Sequence, residues 1–206
     1  MSAHVDDSLA RRVFWLYGIH SLLGNLSFVV GYYWLPEGAM RSTPWIASGY
    51  LVARWTEFWP QFAATLAFNL ILGAGLGMAC NLQQVRGFPA GYVLPMIVGV
   101  IGGLTAGSNS FAADDLSRYN VRQGMAMALT IGGLEMLGYI CVIAATVNLG
   151  IYHYRSWWRW GKAWKPTKLA LRDVRFSRQE VWVIGLGLLL IVLGAYRETQ
   201  QALRHS

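Results

Sequence analysis

The sequence predicts an all-α, polytopic bundle of about five transmembrane helices with interfacial amphipathic segments, and three observations carry that prediction. Only 13% of the 206 residues are charged, against roughly 25% in ordinary soluble domains. Long apolar runs recur along the chain, and about 20 such residues are what a helix needs to cross hydrocarbon. The 10 Trp and 10 Tyr suit the headgroup belts, where a ring with one apolar and one wet end is at home. The net charge of +7 comes largely from one loop between apolar runs. It therefore reads as topology and contact with anionic lipid, with no nucleic acid as partner.

Residues 1–206 are expected to form a single integral membrane domain. The first ten are polar, with Asp7 or Ser8 placed to cap a helix. The run after Arg11 and Arg12 is long and lacks a small-x-small cleavage site, so it is expected to remain as a first span, 13–35, and not to be removed as a signal. Tyr32, Tyr33 and Trp34 mark its exit before Pro36, while Ser21 and Asn25, four apart, share a face turned inward. From 40 to 59, Trp45, Tyr50, Trp55 and Trp59 alternate with polar residues, the pattern of a segment lying in the interface.

A second span, 61–82, carries Asn69, Gly73 and Gly77 at intervals of four, which lines one face with an amide and two glycines for close helix approach and an interhelical hydrogen bond. Arg86-Gly87-Phe88-Pro89 supplies turn chemistry in the linker 83–90. The third span, 91–108, repeats the small-residue pattern at Gly99, Gly103 and Gly107. These glycines lack the Lys-Ser/Thr ending and preceding strand of a phosphate-binding loop. After a polar loop in which Asp115, Arg118 and Arg122 could pair along a short solvated helix, a fourth span is expected over 124–152, with Gly124, Ala128 and Gly132 as another small-residue series.

The loop 154–179 is strongly basic, with Arg155, Arg159, Lys162, Lys165, Lys168 and Arg172 among its cations and Trp157, Trp158, Trp160 and Trp164 interleaved. It is expected to anchor on an anionic leaflet. A fifth span, 181–196, is near the lower limit of length, and the polar tail begins with Arg197 and Glu198. On alternating sides of five spans, Arg11, Arg12, Arg86 and the basic loop oppose Arg41, Arg54, Arg118, Arg122, Arg197 and Arg204. The positive-inside bias then puts the N-terminus in the cytoplasm and the C-terminus outside a plasma (inner) membrane.

Glu135 is the sharpest functional feature, because a carboxylate inside an apolar run normally faces other helices or a water-filled cavity. Tyr139 lies one turn on, and Asn69 and His20 are further intramembrane polar groups. No nucleophile has a base placed beside it in sequence, and the four histidines are scattered. Ala106-Gly107-Ser108-Asn109-Ser110 is faintly similar to the setting of an intramembrane serine protease, without a histidine in a later span. Cys80 and Cys141 give neither a disulfide framework nor a metal-ligand spacing, so no metal and no cofactor are implied.

Gly132-Gly133-Leu134-Glu135, in a penultimate span followed by Ala144, Ala145 and Gly150, resembles the His-Gly-x-x-Glu signature of the stage II sporulation protein M family, with Ile131 in the histidine's place. The order of features is similar too: an early Asn at Asn69, a Gly-rich third span, a basic loop, and a last span ending near Glu198. The resemblance implies a small polytopic membrane protein with a scaffolding role and no catalytic activity of its own. The first functional expectation is accordingly a non-enzymatic subunit that assembles with other membrane proteins or with itself. A transport component using Glu135 for a cation or proton is the alternative. A third is an accessory subunit of a pigment- or haem-containing complex, with His20 or His153 as ligand.

Overall fold

A computed structural model describes residues 8–44, 46, 49, 55–110, 133–156, 167–168 and 174–204. It is mainly helical: α1 is Leu9–Trp34, α2 Phe58–Cys80, α3 Val93–Gly107, α4 Gly133–Ala145 and α5 Arg178–Arg204. Among the described residues four helical stretches are long and apolar enough to cross a membrane: Leu9–Trp34, Phe58–Cys80, Ala90–Gly107 and Arg178–Gln200. α4 is shorter over its described length, and it is the most enclosed, with Ile140, Ile143, Ala144 and Ala145 fully buried. The other helices turn large apolar side chains outward, Phe14, Trp59 and Trp182 each more than 70% exposed. Water would penalise so much apolar surface, whereas lipid solvates it.

Local chemistry sets the helix ends. Ser8 caps α1, its hydroxyl accepting from Arg11 N. Leu35 becomes extended because a residue before proline avoids helical geometry. α2 starts at Phe58, three residues before the expected span, and Pro60 fits because first-turn N–H groups have no helical partner. Ser177 and Glu180 form a reciprocal capping box: Ser177 N donates to Glu180 Oε2 at 2.7 Å and Glu180 N to Ser177 Oγ at 3.2 Å. That box begins α5 at Arg178, and the helix runs on through the polar tail, so the last helix is far longer than the expected 181–196.

The fourth span ends earlier than expected. α4 stops at Ala145, followed by a 3-10 turn Val147–Leu149 and a strand, where a span to 152 was expected. The Thr146 hydroxyl bonds back to Val142 O at 2.8 Å, and buried Asn81 donates to Ile143 O at 2.7 Å, so side chains take the last carbonyls in place of further helix. The start of that span, including Gly124, Ala128 and Gly132, lies outside the described residues, as do residues 45, 47, 48 and 50–54 of the interfacial segment 40–59, in which 40–42 form turns and Trp55 is exposed.

A small sheet joins the loops at one end of the bundle. Its strands are β1 (Gln83–Val85), β2 (Phe88–Pro89), β3 (Tyr152–Tyr154) and β4 (Thr167–Lys168), in the order β2-β1-β3-β4. β1 and β2 form a hairpin whose central residues, Arg86 and Gly87, both have positive φ, 54° and 83°, the geometry of a type I′ turn. β1 pairs in parallel with β3, and β3 antiparallel with β4. At this sheet end Arg12 Nη1 donates to Ala144 O and Asn148 Nδ2 to Glu180 Oε1, which gathers the starts of α1 and α5 with the ends of α2 and α4. At the opposite end the exits of α1 and α3 are tied by Gly38 N to Ser108 O at 2.7 Å and Asn109 Nδ2 to Glu37 Oε1 at 2.6 Å.

Candidate functional site: a carboxyl pair inside the bundle

Glu135 occupies the first turn of described α4, where Asn69 of α2 and Glu198 of α5 converge on it. Asn69 Nδ2 donates to Glu135 Oε1 at 2.6 Å, and the carboxyl groups of Glu135 and Glu198 are neighbours. Two carboxylates held side by side repel each other when both are ionised, which favours a proton on one of them. The groups acting on Glu135 include no basic side chain among the described residues. Tyr139 is within electrostatic reach of both carboxyl groups, and its ring lies against Gly73.

Two backbone features make room for this arrangement. Gly194 of α5 sits directly beside the Glu135 side chain, and a Cβ there would collide with the Glu135 Cγ. In α2, Asn69–Gly75 is a π-helical stretch. A four-residue stripe on an α-helix drifts by about 40° per step. The wider π turn offsets that drift and keeps Asn69, Gly73 and Gly77 all addressed to α4. Gly73 meets the Tyr139 ring and Gly77 meets Ile143.

The site lies well along the bundle from the sheet. Glu135 and Asn69 are each 11 or 12 residues along their helices from the sheet-end contact of Asn81 with Thr146 Oγ1, or about 16–18 Å at 1.5 Å per residue.

Other residues singled out in the sequence fall elsewhere. His20 lies in the α1–α3 seam, where its Nδ1 is 2.8 Å from Pro95 O; a carbonyl only accepts, so Nδ1 carries the hydrogen. Gly99, Gly103 and Gly107 line the same seam, against His20 O, Gly24 O and Phe28 O respectively. Asn25 bonds to Ser21 O of its own helix and makes no interhelical bridge there. His153 is on β3, its Nε2 2.9 Å from Gly150 O, so the two histidines do not share a site. Ser108 and Ser110 are fully buried and hydrogen-bond each other, closing the end of α3 with Asn109. Among the described residues no group of three or more His, Cys, Asp or Glu could hold a metal ion. Arg155 is exposed next to β3 and Lys168 lies in β4, whereas Arg159, Lys162, Lys165 and Arg172 are outside the described residues.

Glu198 and Gly194 are the functional positions that sequence reasoning did not place. A signal existed: Gly187, Ile191, Gly194 and Glu198 recur at helical spacing on one stripe of α5, and Gly187 packs on Gly138 of α4. No family model, curated protein or solved structure matches the chain.

Proposed function

We propose that this chain is an integral membrane protein whose working site is the Glu135–Glu198 pair, which takes up and releases a proton as part of a transport-type process with no covalent step. The close approach of the two carboxyl groups carries this reading, because like charges side by side favour a proton on one of them. Asn69 orients Glu135 by donating to its Oε1. Intramembrane carboxyl groups of this kind serve as proton relays in pumps and transporters. The test is proton flux into vesicles containing the purified full-length chain under an imposed pH gradient. Flux lost in Glu135→Gln supports the proposal; flux equal to the wild type with Glu135→Gln contradicts it.

A second reading is a non-enzymatic subunit that assembles with partner membrane proteins or with itself. Glu198 favours it, since this residue keeps exposed surface at the edge of the bundle where a neighbouring helix could meet it. The resemblance to the stage II sporulation protein M family points the same way. Unchanged flux in Glu135→Gln together with loss of a co-purifying partner in mild detergent would select this reading.

For topology, we place the sheet end on the cytoplasmic side of the plasma membrane, with anionic headgroups against its cations. Arg86, Arg155, Arg175 and Arg178 are exposed there, and a basic surface follows the positive-inside bias. A C-terminal tag accessible only from outside is the expected outcome, and labelling only from the cytoplasm would reverse the assignment.

A further inference from the structure

We infer that protons reach the carboxyl pair from the end of the bundle opposite the sheet, along a polar face of α2 formed by Gln61, Thr65 and Asn69. The inference rests on the carboxyl-pair reading and adds its direction of access. These three residues are four apart, and all are buried, at 5%, 5% and 6% exposure. Eight helical residues cover about 12 Å, enough to lead from the far end of α2 to the depth of Glu135. A polar stripe turned into an apolar bundle is costly unless its groups are satisfied. Yet Gln61 Oε1 is buried with no hydrogen-bond partner among the described residues. An acceptor in that state is where a water molecule or hydronium gains most.

Neighbouring elements set where the path runs and where it stops. Phe58 and Phe62, flanking Gln61, both pack edge-on against Tyr196, which brings this turn of α2 to the Glu198 end of α5. Thr199, also buried there, donates to Ala195 O and keeps its oxygen free to accept. Beyond Asn69, the same face continues as Gly73 and Gly77, but the Tyr139 ring and Ile143 fill it. The polar face thus runs toward the end away from the sheet and is closed by side chains toward the sheet. The titratable groups facing Glu135 along it, among the described residues, are Glu198 from α5 and Tyr139 from its own helix.

The experiment uses full-length protein in liposomes, transferred rapidly into heavy water, with hydrogen–deuterium exchange followed on the infrared carboxyl band. The band is assigned by its loss in Glu135→Gln. Gln61→Leu and Thr65→Val are each expected to slow exchange at least tenfold, while Gln83→Leu, on exposed β1 at the sheet end, leaves the rate unchanged. Thr65→Val is nearly isosteric, so it reports on the path even if Gln61→Leu fails to fold. Exchange at the wild-type rate in folded Thr65→Val and Gln61→Leu would overturn the path, as would equal slowing by Gln83→Leu. A wild type with no Glu135-dependent band would instead remove the carboxyl-pair reading itself.

Discussion

The α1–α3 seam and the α4–α5 seam are both built on small residues, yet they are built for different ends. In the first, Gly103 and Gly107 bring backbone against backbone, and the half-buried His20 is satisfied by Pro95 O. In the second, Gly138 and Gly187 make the same close approach, but the contact continues into Gly194, Glu135 and Glu198. A seam closed by backbone contact gains from staying closed. A seam ending in two neighbouring carboxyl groups favours a shared proton, which would respond to its surroundings. On the proposed function the difference gives α1–α3 a structural part and α4–α5 the proton site, with α2 supplying the third side through Asn69.

The contrast can be broken first in the α1–α3 seam. A side chain at Gly103 would strike Gly24 O and Ser27, so Gly103→Leu is expected to destabilise by about 3 kcal/mol or more. Thermal unfolding in detergent followed by circular dichroism checks it. Asn69→Ala removes the donor to Glu135 and is expected to cost about 1–3 kcal/mol, leaving a buried acceptor unpaired. That loss should shrink in the Glu135→Ala background, which a double-mutant cycle measures. Ser177→Ala, which opens the capping box of α5, should cost about 1 kcal/mol. Its mark would be faster amide exchange in the first turn of α5 with the carboxyl pair undisturbed. Smallest in stability is Glu135→Gln, expected within about 0.5 kcal/mol because the amide keeps the shape and can donate to Glu198. Proton flux is nevertheless expected to be lost in that variant, which would separate the proposed proton site from its packing.

Much of this was legible in the sequence, and what was not has physical causes. Apolar runs mark helices because lipid demands them, so α1, α2 and α3 fall close to their expected ranges. Glu135 stood out because its surroundings are apolar, and Asn69 because its four-residue spacing with Gly73 and Gly77 is visible in one dimension. Glu198 was harder: it follows Arg197 in a polar tail, and only the capping box and the uninterrupted helix carry it back onto the bundle. The end of α4 was misjudged because apolar residues continue past Ala145, whereas the break is made by Thr146 and by Asn81 from another helix. Strands of two or three residues are too short to show alternation, so the sheet was unreadable. The π stretch in α2 leaves no compositional trace that distinguishes it from α-helix.

The central claim is that Glu135 and Glu198 share one exchangeable proton, and infrared difference spectra recorded across a pH titration of the reconstituted protein test it most directly. The account predicts a carboxyl band in the wild type that is abolished or displaced in both Glu135→Gln and Glu198→Gln. A band lost in Glu135→Gln but unchanged in Glu198→Gln would show that the two groups titrate independently and would contradict it.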